Sequence, residues 1–580
     1  MRHLWLLLTF ALVLPGAAGA VPIPEGPDAA DLPVFSGTQA VPNPVSSPDP
    51  PRHPFMAPNG KSNLHVDGYQ SDAHQQLGPL GNDMQRVNTF YAADCASITF
   101  DSRGRVIAMC VGLARPVLKM LDPQTLAEIA TLDMPPRDAA SGVGVDVFSN
   151  FSGGGYFFLD EKDRVVTSTT TRHLNVISHT DGAGFKIERD YDLTGVVPSG
   201  DSIISALPDW SGRYWFASSK GVVGTVDPAT GAIRARATGE PIGNSFAVDE
   251  TRGVFIVTDA AMYRFEAGAD GAPQISWRQG YPNIGIKKPG QTQAGSGTTP
   301  TVTAEGNVAI TDNADPMNVV VYKKSDGSRV CSQPVFEKGA SNTDQSLIAV
   351  ANSLVVENNY GYTGPTATQQ GKTTIGGLER VDVSAAGKCS RVWRSEETSP
   401  TVVPKASIQG GIVYTYTKDA RSDGADAWYL TALDFRTGKT IYKRLGGEGL
   451  GHNNNYAPIT IGPNGEVYLG VLGGMLLLRD KTPPTLGGQP SPTAKPRLKL
   501  RVRCGRKMRI TLTGKDRKRV LRTGFYRGKR RLAGDRRAPF TRRIAKRRLG
   551  RPGKRVRLRA RVVLKDGRKA TVTRRVRTCR

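Results

Sequence analysis

Residues 96–109 read ASITFDSRGRVIAM: a short apolar run, a turn built from Asp, Ser and Gly, and a second apolar run. That is the pattern of two antiparallel strands joined by a tight turn. The hairpin recurs as YFFLDEKDRVVTS (156–168), ISALPDWSGRYWFAS (204–218), SFAVDETRGVFIVTD (245–259) and TVTAEGNVAITD (301–312). It returns as SLIAVANSLVVEN (346–358), ASIQGGIVYTYT (406–417) and APITIGPNGEVYLG (457–470). The starts step by 60, 48, 41, 56, 45, 60 and 51 residues, near the 40–50 that marks propeller blades. A single blade cannot bury both of its faces, so such units stack radially around a channel.

Second hairpins follow most of the first ones, among them VLKMLDPQTLAEIATL from Val117, GVVGTVDPATGAIRARA from Gly221 and YLTALDFRTGKTIYKRL from Tyr429. Counting two looser versions after His173 and Met262, there are seven outer hairpins for eight inner ones. The eighth unit ends on the single strand MLLLRD near Met475, so the ring is expected to close with a strand from 84–91. The expected fold is all-β, with an eight-bladed propeller over 81–481; seven blades follow if one hairpin is misassigned.

Residues 1–20, MRHLWLLLTFALVLPGAAGA, combine a basic start, an apolar stretch and small residues at the end, and read as a secretory signal peptide. No later segment approaches the ~20 apolar residues of a membrane span, and no Cys follows the cleavage point for a lipid anchor. A secreted or cell-surface monomer without a transmembrane segment is expected. Residues 21–80 are rich in Pro, Gly, Ser and Asp and read as a solvated spacer, stiffened toward polyproline II at PNPVSSPDPPRHP. Within it His65, Asp67, Asp72 and His74 are metal-ligand types, but no periodicity places them on a rigid element, so a solvated loop is expected. Residues 482–496 read as a linker.

Charge is uneven. Residues 481–580 hold 38 Lys and Arg against three acids, Asp516, Asp535 and Asp566, whereas the first 480 hold 40 basic and 48 acidic residues. Two modules with different partners are implied. The tail alternates: Leu498, Leu500, Val502 and Cys504 fall on one face and Arg497, Lys499, Arg501 and Arg503 on the other, and RVRLRARVV from Arg555 repeats the pattern. Residues 524–540, GFYRGKRRLAGDRRAPF, and the segment LKDGRKATVTRRVRTC resemble bacterial immunoglobulin-like domains, which implies a small β-sandwich over 497–580. Its arginine faces suit phosphate or carboxylate groups, so an anionic cell-envelope polymer is the expected partner. No aromatic residues interleave them as base-stacking platforms, and no specific nucleic acid is expected.

Six cysteines fit an oxidising compartment. Cys95 and Cys110 bracket the first inner hairpin, Cys331 and Cys389 occupy matching positions on consecutive outer hairpins, and Cys504 and Cys579 bracket the tail. These three pairs are the expected bridges.

Strand-end and loop residues supply the candidate ligand site: Asp259, Asp312, Asn313, Glu357, Asn358, His452 and Asn453, expected around the channel mouth. Asp and Asn oxygens there suit Ca²⁺. TVDPATGAIRARA and TALDFRTGKTIYKR resemble the hairpin of quinoprotein-dehydrogenase-like (PQQ-like repeat) propellers. The resemblance implies the fold; pyrroloquinoline quinone is not expected, because the chain has no adjacent Cys pair. NSFAVDETRGVFIVTD and TDNADPMNVVVY are similar to calcium-dependent lactonase propellers, which implies a metal set of Asn244, Asp312, Asn313 and Glu357. A binding protein is therefore expected, with an exported calcium-dependent hydrolase or quinoprotein-like oxidoreductase as the alternative.

Overall fold

The computed structural model describes residues 21–137, 153–180, 184–484, 497–505, 507–535, 538–564 and 569–578. The expected signal peptide, most of the expected linker and Cys579 lie outside the described residues. The chain divides into two units between Gly487 and Gly488, inside the expected linker.

In the first unit the described residues form eight sheets, seven built by consecutive strands over 94–133, 157–192, 203–237, 247–280, 301–334, 348–395 and 405–448. The last sheet takes three strands from 459–480 and its outer strand, Met84–Phe90, from the other end of the chain, antiparallel to Gly474–Asp480. Closure thus follows the missing strand read from the sequence. Apolar side chains alternate across each strand and pack between neighbouring sheets. Ile107 and Met109 meet Phe157 and Val165, Phe255 meets Val308, and Tyr468 and Leu477 meet Ile98 and Phe100 across the closure. Every sheet packs on the next and the last on the first, the arrangement of a β-propeller.

Both expected propeller disulfides form. Cys95 and Ala96 bulge opposite Cys110, so the bridge lies within one hairpin. Cys331–Cys389 joins the outer strands of the fifth and sixth sheets.

The spacer expectation for 21–80 is overturned. Phe35–Gly37 adds to the outer edge of the seventh sheet and Ala73–His74 pairs parallel to its innermost strand, Lys405–Ser407. Between them the chain runs around the channel-side edges of the inner strands in ring order. Leu159 donates its N–H to Ser62, Val248 to Gly68, Val302 to Tyr69, Ala349 to Ser71, and Ala406 to Asp72, at 2.7–3.0 Å. Gln76 then reaches the Ile461 carbonyl of the eighth sheet at 3.0 Å. Inner strands expose an unpaired edge to the channel, and this segment supplies its partners. The propeller therefore begins well before residue 81.

The second unit has a three-stranded sheet (Lys499–Arg503, Met508–Thr513, Thr541–Ile544) and a four-stranded sheet (Val520–Arg527, Arg530–Asp535, Arg555–Leu564, Lys569–Arg577), all antiparallel. Leu498, Leu500, Leu558, Ala560 and Val562 share its core with Met508 and Phe525, as their alternation requires. Cys504 is disulfide-bonded.

Candidate functional site

The channel interior holds a buried charged cluster supplied by the inserted segment. Lys405 Nζ donates to Asp72 Oδ1 at 2.5 Å and His65 Nδ1 lies 3.0 and 3.1 Å from the two oxygens of the same carboxylate. A carboxylate only accepts, so Nδ1 carries the imidazole proton. Burial alone would push the Asp72 carboxyl up, but Lys405 and His65 outweigh it and hold it below its usual range. Burial drives the Lys405 ammonium and the His65 imidazole down, with Asp72 opposing both. His65 Nε2 faces the Thr299 hydroxyl at 3.5 Å. An Asp–His–hydroxyl chain has the order of a nucleophile relay, yet His65, Asp72, Thr299 and Lys405 are at most 2% exposed. No substrate reaches the imidazole, and the cluster ties the inserted segment to the ring.

This corrects the metal-or-loop alternatives for 65–74. His74 accepts the Ile461 N–H at Nε2, and Asp67 is held by the Ser71 hydroxyl and N–H at 2.5 and 3.2 Å. Neither is solvated.

The expected mouth residues are also internal. Asp312 accepts from the backbone of Ala314 and Asn318 and from Asn318 Nδ2 at 2.7–3.1 Å. Asn313 donates to Asn283 and to the Ile286 carbonyl. Glu357 accepts from Asn359 and Ser399, and burial lifts its carboxyl well above the usual range. Asn358 bridges Ala340 and Asn342, while Asn244 bridges Tyr156 and the Gly297 carbonyl. The hydrogen bonds of the Asn244, Asp312, Asn313 and Glu357 side chains run to other residues and not to one another, and all but Asn313 meet their oxygens with protein donors. The calcium set read from the lactonase likeness does not fit this arrangement. Asp259 alone is half exposed, its carboxyl raised by burial to about 6.

The structure does bring two expected loops together. The Tyr362 hydroxyl donates to Asn453 and Asn455, and Asn453 reaches Thr368. Lys288 donates to the carbonyls of Ala314 and Ser341, tying a third loop in. His452 is buried beneath Gly447, its Nδ1 donating to the Glu448 carbonyl at 2.9 Å, and burial lowers its pKa. The loops form a cap of buried polar side chains. Sequence reading missed Tyr362 and Lys288, which carry no strand-end signal.

One other cluster has metal-ligand types: Asp101, Asp163 and His179, whose ligand atoms lie within 4.8 Å of one another. Arg105 decides its chemistry. The guanidinium donates to His179 Nδ1 at 3.1 Å and to Asp101 at 2.6 Å. A guanidinium never accepts, so the neutral ring keeps its proton on Nε2, the nitrogen facing Asp163. Binding a metal there would turn an Nδ1–H against the guanidinium, so the cluster is a clasp between the first two sheets.

In the basic unit, the two described acids are already engaged. Asp516 accepts the Arg497 N–H at 2.6 Å, and Asp535 pairs with Arg542 at 3.0 Å. Cross-strand register sets Arg503 opposite Arg509, and Arg509 opposite Arg543; Arg555 faces Arg577 and Arg557 faces Arg575. Like charges directly opposite destabilise a sheet, and nothing else in the described unit neutralises them. A groove of about 1080 Å³ opens elsewhere in this unit, lined by Arg522, Tyr526, Arg531, Asp535, Arg542 and Arg561 among others.

No family profile matches the chain. It is 27% identical over 320 residues to an uncharacterized protein of Archaeoglobus fulgidus, a match covering 49% of this chain and 62% of that one. Among solved structures it is similar to BamB from Moraxella catarrhalis, at 14% identity over 60% of this chain and 93% of that one, with a TM-score of 0.37. A europium-containing methanol dehydrogenase is similar at 11% identity over 72% and 98%, TM-score 0.45. So is a quinohemoprotein alcohol dehydrogenase, ADHIIG from Pseudomonas putida HK5, at 10% over 76% and 83%, TM-score 0.47. These likenesses concern the propeller fold and nothing more. The propeller cysteines pair 15 and 58 residues apart, and residues 62–76 line the inner strands. Among the described residues no helix is long and apolar enough to cross a membrane.

Proposed function

We propose that the protein is a secreted, envelope-associated binding protein: an eight-bladed propeller scaffold carrying an immunoglobulin-like basic domain that grips an anionic cell-envelope polymer. One observation carries the reading. Both described acids of the basic unit are held by internal partners, so among the described residues its arginine rows present positive charge with no counter-charge of their own. A sheet that sets Arg opposite Arg is stabilised when an external polyanion lies across it. The propeller serves as a rigid body whose inner-strand edges are partnered by residues 62–76. Export is supported by the disulfides and by the leader-like sequence of residues 1–20.

The test is retention of the full chain on an immobilised anionic polymer across a salt series. Displacement of counter-ions by many guanidinium contacts makes log K fall steeply and linearly with log salt. A flat salt response, or no retention at low salt, sinks the proposal.

A further inference from the structure

The groove in the basic unit has a floor without side chains. Gly524 and Gly534 stand directly opposite each other on adjacent strands, and Arg561 opposes Gly524 on the next strand. Neither glycine has a left-handed backbone that would require it. Each instead makes room for a neighbouring side chain of the groove: a Cβ at Gly534 would lie 2.5 Å from an Arg531 guanidinium nitrogen, and one at Gly524 would lie 2.9 Å from the Tyr526 ring. Glycine inside a strand weakens it and marks a place where another group approaches the backbone closely.

The walls carry four guanidinium groups, two of them fixed in place, and one carboxylate, Asp535, which Arg542 holds. Arg542 donates to the Gly534 carbonyl at 2.9 Å and to Asp535 at 3.0 Å. Arg561 lies over the Tyr526 ring at 4.9 Å, which orients its fork without neutralising it. Arg522 and Arg531 line the same groove and have no acidic partner among the described residues. A depression walled by positive charge and floored by paired glycines admits groups that a flat arginine face would only attract.

We infer that this groove is a discrete site for the oxyanions of a repeating anionic polymer, with Arg522, Arg531 and Arg561 as its binding residues. The inference rests on the polyanion reading above and narrows it: affinity is concentrated here instead of being spread over all exposed arginines. The chemistry recognised is a phosphate or carboxylate oxyanion, which a guanidinium can hold with two parallel hydrogen bonds.

The experiment titrates full-length protein with sodium polyphosphate and with polygalacturonate at one fixed salt concentration. It compares the parent chain, the groove variant R522Q/R531Q/R561Q and an equal-charge control, R501Q/R503Q/R543Q, on the three-stranded sheet. Charge-assisted hydrogen bonds of 1.5–3 kcal/mol each predict a loss above about 100-fold for the groove variant. The control should lose less than about 10-fold, as expected for a screened field. Gly534→Val supplies a second, charge-neutral probe: filling the floor should weaken binding at unchanged net charge. Preference for one polymer identifies which oxyanion is recognised and supports the site. Equal losses in the two triple variants, with no effect of Gly534→Val, overturn the groove and leave the polyanion reading standing. Failure of the parent chain to bind either polymer overturns that reading itself.

Discussion

Lys405 and Asp72, 333 residues apart, form an ion pair of 2.5 Å in which neither side chain has any exposure to solvent. Lys405 starts the innermost strand of the seventh sheet and Asp72 belongs to the segment threaded along the channel. The pair fixes that segment in register with the ring. Removing one partner strands a buried charge, which costs about 3–5 kcal/mol, while removing both is far milder. Lys405→Met or Asp72→Asn should therefore each lower the urea midpoint strongly. The double variant should recover much of the loss. Additive losses would show that the two side chains do not act as a pair.

Titration inside the channel gives a pH signature. Burial drives the His74 imidazole from 6.5 to about 3. The unfolded chain takes up that proton on acidification and the folded chain does not, so His74 lowers stability as pH falls from 6.5 toward 3. Asp67 acts in the opposite sense. Burial lifts its carboxyl from 3.8 to about 7, so the fold retains a proton that the unfolded chain releases. Stability is lost as pH rises from 3.8 to about 7. Each effect is on the order of a few kcal/mol. Relative to the parent chain, His74→Gln should gain stability at pH 4, and Asp67→Asn should gain at pH 7.5. Denaturation curves at the two pH values check the signs, and pH-independent differences would refute them.

What the sequence disclosed follows from where each residue finds its bonding partners. A hairpin's partners are local, so the period-two strands and their turns were legible, as was the facing of Cys95 and Cys110; the closing strand was legible only through the eighth unit's missing strand. Residues 21–80 find their partners in sheets hundreds of residues away. Their Pro- and Gly-rich composition looks like a solvated spacer because nothing local shows the inner-strand edges awaiting it. His65 and Asp72 attracted notice as possible ligands, but their true partner, Lys405, is visible in the sequence only as one cation in the inner strand VVPKASIQ. A lone lysine on a strand facing a channel is the signal that could have pointed to a buried acid. Asp312 and Asn358 were legible as strand-end residues and Asn453 as a loop residue, yet their types do not distinguish binding a ligand from capping backbone, and here they cap.

The two propeller disulfides should differ in their contribution. Cys331–Cys389 closes 58 residues and clamps two sheets together, whereas Cys95–Cys110 closes 15 within one hairpin. Loop-closure entropy favours the longer bridge by about 1 kcal/mol, near 4 against 3. Cys331→Ala with Cys389→Ala should lower the thermal midpoint more than Cys95→Ala with Cys110→Ala. The reverse order would mean that filling the buried space around Cys95 and Cys110, both at 0% exposure, outweighs the entropy.

The inserted segment makes the most demanding prediction. Its Ser62, Gly68, Tyr69, Ser71 and Asp72 carbonyls accept from inner-strand N–H groups that would otherwise be unpaired inside the ring, and an unsatisfied buried backbone group costs about 1–3 kcal/mol. It also buries Leu64, Val66, Tyr69 and Ala73, so its loss opens apolar surface as well. A chain beginning at residue 81 keeps all eight inner hairpins, and if 21–80 were a spacer it would fold unchanged. The structure requires the opposite: that chain should lose its cooperative unfolding transition and protease resistance, although every four-strand repeat remains in its sequence. Adding a separate peptide spanning residues 50–82 should restore both in proportion to its concentration, since the bonds it makes are the ones removed. The same peptide carrying Asp72→Asn should restore less, because it returns the backbone partners of the inner strands and leaves Lys405 without its carboxylate.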